Sequence, residues 1–123
     1  MAPTVFVVDD DPAVRNSLKF ALELEGYSVR LYRDAPALLK ADDLEAPGCF
    51  VIDLRLPGMD GLELLDELRR RKVKTPAVLI TSHPSAITRE RASREGIAII
   101  EKPLIDDALS NGIRQAIGPA APR

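Results

Sequence analysis

The chain has 123 residues, of which 46% are hydrophobic and 29% charged, and its formal net charge is -2 at pH 7. This size suits one globular domain with a single core, and the charge gives no reason to expect direct binding of nucleic acid. No apolar stretch approaches the ~20 residues that a membrane span needs, so we expect a cytoplasmic domain without membrane contact. The single cysteine, Cys49, lies in the apolar run CFVID, which favours a buried small hydrophobe over a redox group.

Five short apolar runs alternate with helical patterns along the chain. The runs are rich in β-branched residues, as strands are, and read in order TVFVV, SVRLY, CFVI, AVLI and IAII. The first helix is predicted from the Asp11-Pro12 start signal to Gly26, and the second starts at Asp34 with Pro36. Further helices are predicted over residues 61–71, 85–95 and 105–117. The helix over residues 85–95, the fourth in the chain, is predicted to be polar and loosely packed.

This alternation predicts the α/β class, with a doubly wound parallel sheet covered by helices. Parallel strands need long crossovers, and those crossovers are usually helical. We assign residues 1–117 to one domain and residues 118–123, GPAAPR, to a C-terminal tail or the start of a linker.

Four of the apolar runs are followed by residues that suit phosphate chemistry. Asp9 and Asp10 follow the first run, Asp53 the third and Thr81 the fourth, and Lys102 comes two positions after the fifth. Parallel strands deliver such residues to one carboxyl edge, where open α/β sheets bind their ligands. Three carboxylates, a hydroxyl and an ammonium group in one cleft suit a divalent cation and a phosphoryl group.

The expected chemistry follows from the residue types. Mg²⁺ prefers one or two carboxylates with phosphate oxygens and water, which Asp10 and Asp53 would supply, while Asp9 would contact the ion or hold one of its waters. Asp53 is the candidate nucleophile, because the turn-rich segment LRLPGMDG after it should leave it accessible. Lys102 would pair with a phosphoryl oxygen or with Asp53, and Thr81 would donate a hydrogen bond. Taken singly, each residue also fits an ordinary turn, cap or surface role.

The segments VVDDDPAVR, VIDLRLPGMDG, VLITS and IIEKP, in this order and spacing, resemble the response-regulator receiver domain, the CheY-like phosphoacceptor module of two-component signalling. The stretches VVDDDPAVRNSLKFALELEGYSV and DLRLPGMDGLELL are most similar to receivers of the FixJ type. The resemblance implies a flavodoxin-like (βα)5 sandwich with strand order 2-1-3-4-5 and phosphorylation of Asp53 by a histidine kinase. It also implies Mg²⁺ bound by Asp10, Asp53 and the backbone carbonyl of Arg55, with help from Asp9.

The same resemblance implies phosphoryl contacts from Thr81 and Lys102, and a cis peptide between Lys102 and Pro103. Its implied partners are the kinase and a second copy or an output domain, bound through the fourth helix, fifth strand and fifth helix. Receivers of the FixJ type often precede a DNA-binding domain, so transcription is the expected output. We expect a phosphoacceptor without independent turnover beyond its own dephosphorylation.

Several positions depart from the family pattern. Ile99 stands where the family usually has an aromatic residue that turns inward on activation, and the segment before Lys102 is about one residue short. Arg55 and His83, each two positions beyond a site residue, would border the path of water to an acyl phosphate. These departures leave open a pseudo-receiver that serves as a constitutive interaction module. A phosphatase would need an acid at the position of Arg55, and a flavin carrier would need more than the 4% aromatic residues present.

Overall fold

The computed structural model describes residues 2–104 and 106–120. Within these ranges five strands alternate with five helices, and a short 3-10 turn, Gly118–Ala120, follows the last helix. The elements are β1 (Thr4–Val8), α1 (Pro12–Leu24), β2 (Ser28–Tyr32), α2 (Ala35–Leu39), β3 (Gly48–Asp53), α3 (Gly61–Arg70), β4 (Ala77–Thr81), α4 (Ala86–Arg94), β5 (Ala98–Glu101) and α5 (Ala108–Ile117).

The strands form one parallel sheet in the order β2-β1-β3-β4-β5, as predicted. The three central strands are buried along their whole length, whereas the edge strands β2 and β5 are partly exposed. Central strands of a parallel sheet read as continuous apolar runs because helices cover both faces. Cys49 is fully buried in β3, and burial raises the pKa of its thiol to about 12, so its predicted role as a small hydrophobe is confirmed.

Alternate side chains of each central strand enter two separate cores. Phe6, Phe50 and Leu79 face α2 and α3, and the rings of the two phenylalanines lie 5.1 Å apart at centroid distance. Val51 and Ile80 face α1 and α5. Because both faces are fixed by this period of two, a slip of one residue would exchange the cores, so the register and therefore the strand ends are strongly specified.

Aspartate side chains cap the starts of three helices. Asp11 caps α1 by accepting from the amide of Ala13, and Asp34 caps α2 by accepting from the amide of Ala37. Asp60 caps α3 in a reciprocal capping box with Glu63. These caps satisfy amides that the first helical turn leaves without intrahelical partners, and they fix where each loop at the carboxyl edge ends.

The predicted start of the last helix was wrong. The helix begins at Ala108 rather than near residue 105, since the Asp106 carboxylate accepts a hydrogen bond from the Ala108 amide at 2.9 Å and holds a turn there. Ile105 and residues 121–123 of the predicted tail lie outside the described residues. None of the described helices is long and apolar enough to cross a lipid bilayer.

The weak packing predicted for the fourth helix is confirmed. Ala92 is the single residue of α4 that is buried, and Ile87 is 80% exposed. Arg91 links α4 to Asp66 of α3, and Arg89 links it to Glu101 at the end of β5. The helix is therefore held by little apolar burial and by ion pairs that are largely at the surface.

Candidate metal and phosphoryl site

The carboxyl edge of the sheet gathers the residues that the sequence predicts to act together. Asp9 directly follows β1, Asp53 ends β3 and Thr81 ends β4. Lys102 follows β5, and its amide donates to the Thr81 carbonyl oxygen at 2.8 Å, which continues the sheet pairing beyond the strand. The site is thus built from consecutive ends of four neighbouring strands.

Three carboxylates form a compact oxygen cluster. Asp9, Asp10 and Asp53 each offer one carboxylate oxygen, and these oxygens all lie within 4.8 Å of one another. Asp9 and Asp53 are buried, whereas Asp10 is exposed. Hard oxygen donors on a site open at one side suit Mg²⁺, which keeps several of its waters and prefers carboxylates to nitrogen or sulfur ligands. The donor set therefore fits a magnesium ion.

The Lys102 ammonium bridges the two buried carboxylates. Its Nζ lies 3.0 Å from Asp9 Oδ2 and 3.0 Å from Asp53 Oδ2. The second oxygen of each carboxylate accepts from a loop amide, that of Asp11 for Asp9 at 2.9 Å and that of Arg55 for Asp53 at 3.1 Å. The buried charges are consequently both paired and hydrogen-bonded, as buried charges must be to persist.

Burial and the neighbouring charges perturb the protonation of this pair in a definite direction. Burial raises the pKa of Asp53 above its ordinary value, and the hydrogen bonds from Lys102 and the Arg55 amide, which lower it, do not fully offset that effect. The nearby Asp9 carboxylate raises the pKa further. Burial also lowers the pKa of Lys102, but the hydrogen bonds and charges of Asp9 and Asp53 outweigh it and the net shift is upward.

Thr81 carries an unused hydroxyl at the same edge. The residue is 1% exposed, and Thr81 Oγ1 has no hydrogen-bond partner among the described residues. Buried hydroxyls nearly always have a partner, so an orphaned one at a charged site indicates room for an additional acceptor oxygen. A phosphoryl oxygen bound beside Asp53 would be such an acceptor.

Gly61 is a positioning residue that the sequence reasoning missed. It begins α3, and a Cβ atom placed on it would lie 2.7 Å from the Asp53 carbonyl oxygen and 3.0 Å from Leu54 Cα. Its amide also donates to the Leu54 carbonyl at 2.8 Å. Absence of a side chain lets α3 start directly against the end of β3. The signal in the sequence was a glycine immediately after the Asp60 cap.

The structure qualifies three other expectations. The predicted accessibility of Asp53 was wrong, because its side chain is only 7% exposed beneath Lys102. The Arg55 amide contacts Asp53, whereas its carbonyl remains a predicted metal ligand. His83 is exposed and lines a groove of about 780 Å³ between α1 and the Pro103-Leu104 segment, so it borders the site instead of joining the carboxylates. The Lys102–Pro103 peptide is cis, as predicted.

A five-stranded parallel sheet with an acid cluster, a threonine and a lysine on its carboxyl edge defines a phosphoacceptor signalling module. The chain belongs to the response regulator receiver domain family, whose model matches residues 5–114. Receivers of this family generally use Mg²⁺ at an acidic pocket, become phosphorylated and partner with histidine kinases. The predicted domain limits, 1–117 and 118–123, stay a prediction.

Several relatives are described as transcriptional regulators. The chain is 39% identical over 119 residues to the transcriptional regulatory protein FixJ of Bradyrhizobium diazoefficiens, covering 96% of this chain and 58% of that protein. It is 39% identical over 114 residues to the C4-dicarboxylate transport regulator DctD of Pseudomonas aeruginosa, covering 92% of this chain and 25% of that protein. The chain thus spans little more than half of FixJ and a quarter of DctD.

Solved structures agree with this assignment. The crystal structure of FixJ-N matches with a TM-score of 0.79 at 34% identity and covers 95% of this chain and 94% of that chain. The response regulator StyR matches with a TM-score of 0.86 at 37% identity and covers 95% of this chain and 60% of that chain.

Proposed function

We propose that this domain accepts a phosphoryl group from a histidine kinase on Asp53 and thereby changes the affinity of a distant surface for a partner. The observation that supports it best is the Lys102 ammonium 3.0 Å from the carboxylates of both Asp9 and Asp53. This pairing places a positive charge beside the acceptor carboxylate, where negative charge accumulates during phosphoryl transfer.

In the proposed reaction a carboxylate oxygen of Asp53 attacks the phosphorus of a phosphohistidine on the kinase. A C–O–P linkage forms, the P–N bond breaks, and the histidine nitrogen departs with the bonding electron pair and is protonated. The product is a mixed anhydride on Asp53. Water later attacks the phosphorus and returns the carboxylate and inorganic phosphate, so the domain has no turnover of its own beyond this hydrolysis.

Residues of this chain would prepare and read the modified state. Lys102 would leave one carboxylate and pair with a phosphoryl oxygen, and the orphaned Thr81 hydroxyl would donate to another. Asp10 and Asp53 would hold Mg²⁺ with the Arg55 carbonyl, and Asp9 would assist. When bound, the ion neutralises charge on the transferring phosphoryl oxygens and orients them.

The surface next to the site indicates where a partner would bind. Glu101, which precedes Lys102, pairs with Thr81 in the sheet register and with Arg89 of α4. A shift of Thr81 and Lys102 would therefore reach the surface formed by α4, β5 and α5. We propose that a second copy of the domain or an output domain binds there, in the cytoplasm, and that transcription is the process controlled. The coupling free energy between two such sites is typically about 1–3 kcal/mol.

The proposal is tested by incubating the domain with Mg²⁺ and acetyl phosphate and measuring its intact mass. We expect a mass gain of one phosphoryl group that requires Mg²⁺ and disappears in Asp53→Asn. The matched control is Asp42→Asn, which neutralises an exposed aspartate outside the cluster and should leave the gain unchanged. No gain in the wild-type protein, or a gain that persists in Asp53→Asn, would contradict the proposal.

A second candidate function is a constitutive interaction module that is not switched by phosphorylation. Ile99 favours it, because this half-buried side chain packs with the α2 and α3 core and has no ring to rotate. The two candidates separate when dimerisation or partner affinity is measured before and after loading. Equal affinities in both states would favour the constitutive module.

A further inference from the structure

Arg15 of α1 reaches back over the loop that carries the acid cluster. Its guanidinium Nη1 donates to the main-chain oxygen of Asp9 at 2.8 Å, and its amide donates to the Asp11 oxygen at 3.0 Å. The residue is half-buried, so the side chain lies against the protein. A positively charged donor makes a stronger hydrogen bond to a carbonyl than a neutral one.

The Asp9 carbonyl belongs to the peptide plane that joins Asp9 to Asp10. Sheet pairing fixes the Asp9 amide, which donates to the Tyr32 oxygen at 3.1 Å, but it ends there. Asp10 is exposed, and among the described residues its carboxylate accepts no hydrogen bond. The position of Asp10 relative to the other two carboxylates therefore depends on its backbone, and the contact from Arg15 restrains that backbone.

We infer that Arg15 is a positioning residue for the metal ligands, which holds the Asp9–Asp10 peptide so that Asp10 lies with Asp9 and Asp53. The inference rests on the proposed use of Mg²⁺ at this site. Arg15 would then favour cation binding by positioning Asp10, although the charge of its guanidinium opposes the approach of a dication.

The two effects of Arg15 have opposite signs, which makes the inference testable. If its charge dominated, replacing the arginine by a neutral side chain would strengthen Mg²⁺ binding. If positioning dominates, the same replacement weakens binding, because Asp10 then samples orientations that do not complete the cluster. Losing an outer contact to metal ligands typically costs about 10–100-fold in metal affinity.

The experiment is a Mg²⁺ titration of the whole chain, followed by ¹H–¹⁵N NMR shifts of the amides around the three acids. Variants are Arg15→Met, which keeps aliphatic bulk without a donor, and Arg15→Lys, which keeps both charge and donor. Arg33→Met is the control, since the Arg33 side chain is 80% exposed and follows the strand residue Tyr32. We expect about tenfold weaker binding for Arg15→Met, within about threefold of wild type for Arg15→Lys, and no loss for Arg33→Met.

If Arg15→Met binds Mg²⁺ as tightly as Arg15→Lys or more tightly, the positioning role of Arg15 is overturned, but the proposed function is not. If wild type binds no Mg²⁺ near the acids, both the inference and the metal part of the proposed function fail. Folding is checked by the dispersion of the same spectra. Should Arg15→Met not fold, Arg15→Gln takes its place, because its side chain is uncharged and shorter than that of arginine. Tighter binding by Arg15→Gln than by Arg15→Lys would then refute positioning.

Discussion

Lys102 and Asp53 are 49 positions apart in the chain, yet Lys102 Nζ lies 3.0 Å from Asp53 Oδ2. The same ammonium also contacts Asp9, so one internal cation serves two carboxylates that would otherwise repel each other. In the unmodified site, the Lys102 ammonium therefore offsets the repulsion between these two carboxylates. A phosphoryl group on Asp53 would carry more negative charge than the carboxylate does. It would therefore attract the Lys102 ammonium, and the lysine and its backbone would move.

Replacing Lys102 by methionine should raise the pKa of Asp53 further, because the substitution removes a hydrogen bond and a positive charge that now lower it. The carbon-13 shift of the Asp53 carboxyl carbon, followed against pH, measures this directly. Breaking a buried ion pair typically costs about 3–5 kcal/mol. Since the Lys102 side chain is 21% exposed, we expect a loss of about 2 kcal/mol in unfolding free energy at neutral pH. An unchanged or lower Asp53 pKa would contradict this description.

The raised pKa of Asp53 also predicts how stability depends on pH. A carboxyl group whose folded pKa exceeds its ordinary value of 3.8 binds protons more tightly when folded. Its contribution to stability therefore falls as the pH rises from 3.8 to the pKa of the folded state. Asp53→Asn should consequently be more stable than wild type at neutral pH, and the advantage should shrink as the pH approaches 3.8. Urea unfolding at several pH values tests this, with Asp42→Asn as the control. A less stable Asp53→Asn protein at neutral pH would show that the Lys102 attraction outweighs burial.

Thr81 should show opposite effects on stability and on signalling. Its buried hydroxyl has no partner in the described residues, and such a group typically costs about 1–3 kcal/mol. Thr81→Val removes the hydroxyl at similar volume, so we expect stability to rise by about 1 kcal/mol while any response at α4 to Asp53 loading is lost. Thr81→Ser keeps the hydroxyl and should retain the response. Thermal unfolding and amide shifts of α4 with and without acetyl phosphate report the two effects, and a destabilised Thr81→Val protein would count against an orphaned hydroxyl.

Two glycines should respond oppositely to alanine. In Gly61→Ala the new Cβ would lie 2.7 Å from the Asp53 carbonyl, so the start of α3 must move and both stability and phosphorylation of Asp53 should fall. In Gly112→Ala the new Cβ would meet Ile100 and Val78 at 3.4–3.9 Å, an ordinary contact distance. There the gain in helix propensity should stabilise α5 by up to about 1 kcal/mol. Chemical unfolding with acetyl phosphate labelling checks both, and equal effects at the two glycines would contradict the steric account.

Much of the fold and of the candidate site could be predicted from local patterns. Short continuous apolar runs mark where each strand ends, and that was enough to bring Asp9, Asp53 and Lys102 together. Burial was harder to foresee, because Asp53 is only 7% exposed and the ammonium that contacts it belongs to Lys102, 49 positions further along the chain. The roles of Gly61 and Arg15 depend on backbone approach in three dimensions, which no spacing encodes. The late start of α5 depends on a side-chain hydrogen bond of Asp106 that competes with the helix.

We propose that Asp53, rather than another member of the acid cluster, carries the phosphoryl group. The most direct measurement is to load the domain with Mg²⁺ and acetyl phosphate, reduce the acyl phosphate with borohydride, and locate the resulting homoserine by peptide mass spectrometry. We predict homoserine at position 53 and unmodified aspartate at positions 9 and 10. Homoserine at position 9 or 10, or at none of the three, would show that Asp53 is not the phosphoacceptor.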